Sequence, residues 1–117
     1  MFTVVRVYSD EAGDSHFEEM QIPLTNSGHV GALSQPIEVD KLIFREVEPA
    51  YDWDFHCAPE KQFIVLLDGE IEIETSLGEK RKFTSGQILQ MEDTTGKGHK
   101  TKNLQPAKRK SLFITFR

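Results

Sequence analysis

The side chains most able to do chemistry in this chain are two of its four histidines. His56 stands directly before the single cysteine, Cys57, and just upstream of an apolar run. His99 comes well downstream, after the glycine-marked stretch Gly96-Lys97-Gly98. Brought together in one cavity, two imidazoles could hold a divalent ion or fix a polar ligand through hydrogen bonds. The thiol of Cys57 beside His56 could be activated, but no third orienting group accompanies it, so it reads as packed and inert. Other reactive signatures are absent: there is no cysteine pair for a zinc knuckle, no GxSxG elbow and no phosphate-binding loop. Gly96-Lys97-Gly98 lacks the spacing and strand-to-helix context of such a loop and reads as a turn. His29 falls in a loop. A lone histidine such as His16 is more often structural than a subunit contact or pocket wall.

The elements that would position the pair are strands. Phe63 to Leu67 is too short for a buried helix and is bounded by turn chemistry, so it reads as a strand covered on both faces. Asp68-Gly69 after it is the strongest hairpin signal and predicts a type I′ turn, which needs positive φ at both central residues. Glu70 to Glu74 then alternates, isoleucine on one face and glutamate on the other. Upstream, Phe2 to Tyr8 is β-branched and strand-like, and Met20 to Leu24 is an edge strand because of Pro23. Lys41 to Glu48 and Tyr51 to Phe55 follow. Downstream, Lys80 to Phe83, Ile88 to Met91, His99 to Asn103 and Ser111 to Phe116 complete the set, the last with Leu112, Ile114 and Phe116 on its apolar face. No segment carries a helical stripe. Short strands separated by Gly, Pro, Asn and Asp predict an all-β sandwich or barrel.

With 117 residues the chain makes one domain, large enough to bury roughly two-thirds of its unfolded surface. No stretch approaches the ~20 apolar residues of a membrane span. MFTVVRVYSD lacks a charged n-region and a cleavage site, so no signal peptide is expected. One cysteine cannot close an internal disulfide, which fits a reducing compartment; a cytoplasmic location is expected. The net charge of −5 argues against a nucleic-acid partner. Ser9 to Met20 carries five acids and no lysine or arginine, while Lys97 to Arg117 carries seven bases and no acid. That basic tail reads as a solvated edge, paired with the acidic segment of the same or a second chain. Aromatic residues do not interleave with its lysines as a single-strand binder would require.

At this point the chain resembles the cupin superfamily. The first cupin motif places two histidines one residue apart ahead of a glutamate and a later glycine. Here Asp54-Phe55-His56, Gln62 and Gly69 take those places. The second motif is matched at Gly86, His99 and Asn103, with a lengthened loop between. More narrowly, His56-Cys57-Ala58-Pro59 leading to Gln62, followed by Glu92-Asp93-Thr94-Thr95-Gly96-Lys97-Gly98-His99, is similar to a group of small single-domain cupins with an HxAPxxQ…EDTTGxGH pattern. An SHFE-like segment of that group is matched at Ser15 to Glu18. The resemblance implies a double-stranded β-helix (jelly roll, cupin barrel) over residues 1–117, with N-terminal strands in 1–50 and the barrel motifs at 54–69 and 86–103. It also implies a homodimer.

In metal-binding cupins three histidines and a glutamate hold Mn, Fe, Ni or Zn. This chain departs at two of the four places, with Asp54 for the first histidine and Gln62 for the glutamate. Asp54, His56 and His99 could still form a triad of two histidines and a carboxylate if Asp54 points inward, as strand alternation predicts. Glu60 is a substitute if the Ala58-Pro59 turn folds it in. Without a metal, His56 and His99 would hydrogen-bond a small polar molecule in the barrel. Gln62 would fix a hydroxyl or carbonyl of that molecule, or be satisfied by neighbouring backbone, and Trp53 and Phe55 would line the pocket or fill the core. The expected function is therefore small-ligand binding, with a divalent metal for Lewis-acid or oxygen chemistry, or as a metal-free binding or regulatory module. Asp93, Thr94 and Thr95 could cap the pocket, though loops of this composition are usually turns.

Overall fold

The structure, a computed structural model, describes residues 2–117. Twelve strands run in order: β1 (Phe2–Ser9), β2 (Ser15–Ile22), β3 (Thr25–Asn26), β4 (Ala32–Leu33), β5 (Leu42–Val47), β6 (Asp52–His56), β7 (Gln62–Leu66), β8 (Glu70–Thr75), β9 (Lys80–Thr84), β10 (Ile88–Met91), β11 (His99–Asn103) and β12 (Arg109–Thr115). The one helical element among the described residues is a 3-10 turn at Gly28–Val30, and no helix is long and apolar enough to cross a membrane.

Two sheets face each other. One has the order β2-β1-β10-β7-β12-β5, the other β6-β11-β8-β9. The last eight strands pair as nested couples: β5 with β12, β6 with β11, β7 with β10 and β8 with β9, each antiparallel. Folding a long hairpin over on itself produces this nesting, and it defines the double-stranded β-helix. β1 adds alongside β10 in parallel, with Val5 opposite Leu89, and β2 closes that end.

Alternation along β8 shows why the sheets stack. Ile71, Ile73 and Thr75 are buried while Glu70, Glu72 and Glu74 face outward. Across the outer face, Glu72 lies opposite Lys82 and Lys102, and Glu74 opposite Lys80 and Lys100, opposite-charge pairs that favour this register. The inward isoleucines meet Val5, Val7, Leu66, Phe83 and Leu89 in the shared core. On the large sheet's outer face, Phe2, Val4, Phe63 and Ile114 form an apolar groove with Leu24 and Ile37 of the segment leaving β2.

Two local expectations are corrected. β7 and β8 lie in different sheets, so Asp68-Gly69 is a crossover and not a hairpin turn. It is not type I′ either: Gly69 has φ of 73°, and no non-glycine among the described residues has positive φ. Asp68 instead ties the crossover to β12, its Oδ1 accepting from the Lys110 amide at 2.6 Å. The buried parity of β12 is also the reverse of that expected. Arg109, Ser111 and Thr115 are buried, and Ile114 faces the outer groove.

Candidate functional site

A cavity of about 190 Å³ opens between the sheets, smaller than the ~300–1,000 Å³ of sites for drug-sized ligands. Its walls are apolar: Ile64 from β7, Ile71 and Ile73 from β8, Met91 from β10 and Phe113 from β12. The polar groups within it come chiefly from β5, β6, β7, β11 and β12, strands of both sheets that the nested pairing brings together.

His56 and His99 meet here. They are cross-strand partners on β6 and β11, and their ring centroids are 4.6 Å apart. Close approach of the two strands depends on Gly98, whose φ is +73° and whose missing Cβ would lie 2.1 Å from the His56 carbonyl oxygen. Each ring is oriented through Nδ1. That of His56 bonds the Asp54 carbonyl oxygen at 2.8 Å, and that of His99 bonds Oδ2 of Asp93 at 2.5 Å. Carbonyl and carboxylate oxygens only accept, so Nδ1 carries the proton in both rings, and a neutral ring then offers Nε2 as an acceptor. Asp93 is fully buried and its Oδ1 has no partner among the described residues. Its role is to back His99 from behind, and the 92–98 loop is held in place for this by the Ala58 amide donating to the Asp93 carbonyl (3.1 Å). Burial holds the His56 imidazole below the usual 6.5, reinforced by the nearby His99 ring and opposed by the bond to Asp54.

Trp53 stacks flat on His56, with centroids 3.6 Å apart and planes 13° from parallel. It is 52% exposed and stands at the mouth. This stacking requires a bulge. His56 opposes His99 and Trp53 opposes Thr101, so three steps along β6 match two along β11, and the extra residue brings both aromatic rings to one face.

The same bulge decides where Asp54 goes. Regular alternation would place it with His56, but Asp54 is exposed, its Oδ1 accepts from the Phe55 amide at 2.8 Å, and it does not line the cavity. Phe55 is likewise exposed and outside it. Glu60 is turned outward, both its oxygens 3.1 Å from Nζ of Lys41. Of the sequence-derived candidates the structure thus brings together His56, His99, Gln62 and Trp53, and leaves Asp54 and Phe55 apart. Gln62 is only 5% exposed and lines the cavity. Among the described residues no group of three or more His, Cys, Asp or Glu side chains is arranged to hold a metal ion. Two imidazoles and a neutral carboxamide, with no carboxylate in the cavity, fall short of the three histidines and glutamate of the cupin metal centre, so the residues present do not fit it.

Sequence reading missed the other end of the cavity. Arg109, in the stretch read as a solvated basic edge, is 2% exposed and lines the cavity with Arg45 and Tyr51. Its Nε donates to Oδ1 of Asn103 at 2.8 Å, while Nδ2 of Asn103 donates to the Glu48 carbonyl at 3.0 Å. The guanidiniums of Arg109 and Arg45 both lie over the Tyr51 ring, 5.7 Å and 5.0 Å from its centre. Burial, with Arg45 adding to it, pushes Arg109 down to about 10. The one available signal was parity: Arg109 shares a face with Ser111, Phe113 and Thr115, a semi-polar stripe suited to a cavity wall. Elsewhere the basic stretch finds acidic partners, as in Lys97 with Asp14 (2.9 Å) and Lys102 with Glu72 (3.6 Å). Cys57 donates its thiol to the Gly96 carbonyl at 3.2 Å, and His16 pairs with Asp10 at 2.7 Å, away from the cavity.

Neither protein-family models nor curated proteins give a match to the chain. Among solved structures it is similar to a DUF861 family protein from Thermotoga maritima, at 15% identity and a TM-score of 0.54, over 82% of this chain and 100% of that one. A conserved protein of unknown function from Streptococcus pyogenes aligns at 17% identity and a TM-score of 0.44, over 84% of this chain and 96% of that one. At such identity the first likeness speaks to the fold alone. With the nested strand pairing, it establishes a small all-β cupin-type barrel.

Proposed function

We propose that this barrel is a binding protein for a small polar molecule, held in the cavity between the sheets with His56, His99 and Gln62 among its polar contacts. The observation that supports this most is the pairing of the imidazoles. Each is fixed through Nδ1 by a separate acceptor, which leaves two Nε2 acceptors for a ligand hydroxyl or amine. Such preorganisation lowers the ordering cost of binding. Apolar walls with a few convergent polar groups are the usual make-up of a ligand site.

Trp53 is the only tryptophan and stacks on His56, so its emission reports on the cavity directly. Small polar molecules that enter should change it saturably, and His99→Ala should remove the response. An emission unchanged across a broad panel of such molecules would defeat the proposal. The metal-dependent version of cupin function is tested separately, by elemental analysis of protein purified without chelator and by thermal shift against Mn, Fe, Ni and Zn. A stoichiometric metal lost in His99→Ala would replace the metal-free reading.

A homodimer belongs to the same proposal. β5 is a sheet edge carrying exposed Leu42, Ile43 and Phe44, and a second chain is a common cover for such an edge. Elution as a monomer at micromolar concentration would count against it.

A further inference from the structure

We propose that the ligand of this cavity is a small organic carboxylate, received by the guanidinium of Arg109 with Arg45 beside it. The inference rests on the cavity being a binding site and names the class of molecule it takes.

Arg109 is buried, permanently charged and incompletely bonded. Nε reaches Asn103, but neither Nη1 nor Nη2 has a hydrogen-bond partner among the described residues. Buried donors left in this state are rare in folded proteins. A second cation, Arg45, shares the Tyr51 ring with it, and no carboxylate lines the cavity to offset the two. Of the acids outside it, Asp93 is engaged with His99 and Glu48 with Lys108, and Asp68, which accepts from the Lys110 amide, offsets only part of the charge, since the net effect on Arg109 is still downward. Ordered water could satisfy the donors, but it would leave two like charges facing each other. An anion answers both needs.

The geometry favours a carboxylate over other anions. A guanidinium presents parallel N–H groups that match a carboxylate's two oxygens. The space beyond is walled largely by isoleucine, methionine and phenylalanine, which suits the hydrocarbon part of a small carboxylate better than the remaining oxygens of a phosphate dianion. The two ends of the site are also spaced. His99 and Asn103, which bonds Arg109, lie four residues apart on β11, or about 13 Å along the strand at ~3.3 Å per residue. A ligand with its carboxylate at Arg109 would therefore extend its chain toward the imidazole Nε2 atoms, where a hydroxyl would be accepted.

The test is titration of Trp53 emission with butyrate, pentanoate, lactate and glutarate, with pentanamide and inorganic phosphate as controls, in a buffer free of other organic anions. At least one carboxylate should saturate, with pentanamide weaker by about tenfold or more, as expected for loss of a charge-assisted pair. Arg109→Met should weaken that carboxylate by about tenfold or more, and Arg109→Lys, which keeps the charge and loses the fork, should fall between. Should Arg109 variants fold poorly by circular dichroism, Arg45→Met at its half-buried site gives the same direction of change. A response to phosphate alone, or carboxylate affinity unchanged in the arginine variants, overturns the proposal. Equal responses to pentanamide and pentanoate also overturn it, while leaving the cavity a binding site. Silence from every molecule, neutral ones included, overturns both.

Discussion

Replacing Arg109 by methionine should make the ligand-free protein more stable, although it removes a buried side chain that is hydrogen-bonded and well packed. The reasoning is electrostatic. Burial and the neighbouring Arg45 bring the Arg109 guanidinium from its usual range down to about 10, and at ~1.4 kcal/mol per unit this is roughly 3 kcal/mol spent on keeping the charge inside. Methionine removes that cost, and its flexible chain can follow the arginine stem across Gly69, where a Cβ would come within 3.1 Å of the Arg109 side chain. Against this stand the lost bond to Asn103 and the orphaned amide oxygen, together about 1–2 kcal/mol. The net expectation is a gain of about 1–2 kcal/mol, or about 4–8 °C in Tm for a domain of this size. Calorimetry and urea unfolding in a low-salt buffer without carboxylates measure it. Adding the tightest-binding carboxylate should then raise the Tm of wild type by more than that of the variant. A variant destabilised by 2 kcal/mol or more would mean that the charge is already compensated in the free protein, and the reasoning from an unbalanced guanidinium would fail.

Three further outcomes are expected. Gly98→Ala should cost about 3 kcal/mol or more, since positive φ alone costs ~1–2 kcal/mol and the new Cβ would strike the His56 backbone at 2.1 Å; near-wild-type urea unfolding together with unchanged Trp53 emission would contradict this account of how β6 and β11 approach. Burial lowers His56 in the folded state, so the unfolded chain binds more protons between that lowered value and 6.5. Stability should be full above pH 6.5, decline as pH falls through that window and level off below it; His56→Gln should flatten the decline, and an equally steep profile in the variant would assign it elsewhere. Asp93→Leu should remove the acceptor that fixes the His99 tautomer, so long-range proton–nitrogen NMR should show a single Nδ1-protonated form in wild type and a mixture in the variant. A single form in both would show that Asp93 does not set it.

Much of this architecture was legible because the local signals were simple. The glutamate–isoleucine alternation of β8 left one possible inner face, and the turn residues cut the chain into strands of the right length. His56 and His99 stood out as the only imidazoles flanking strand segments around the apolar run. Three features were not legible, each for a physical reason. Asp-Gly has the same turn chemistry whether the next strand pairs with the last or crosses to another sheet, so the crossover at Asp68-Gly69 looked like a hairpin. Alternation carries Asp54 to the side of His56 unless a bulge intervenes, and the bulge in β6 depends on tertiary pairing with β11 that no local pattern encodes. Arg109 was obscured by its lysine neighbours and by Leu112, Ile114 and Phe116. Of these, Ile114 lines the outer groove, while the inner face is polar because it borders a cavity. Hydrophobicity marks the core of a sheet and misleads where the interior is a site.

The central claim is that one cavity receives a ligand between the histidine pair and Arg109. A crystal structure of the protein soaked with the tightest-binding carboxylate tests it most directly. The account predicts the ligand between the sheets, its carboxylate on the Arg109 guanidinium and its chain directed toward Nε2 of His56 and His99. The same molecule seated in the outer apolar groove beside Ile37 and Phe63, with nothing between the sheets, would contradict it.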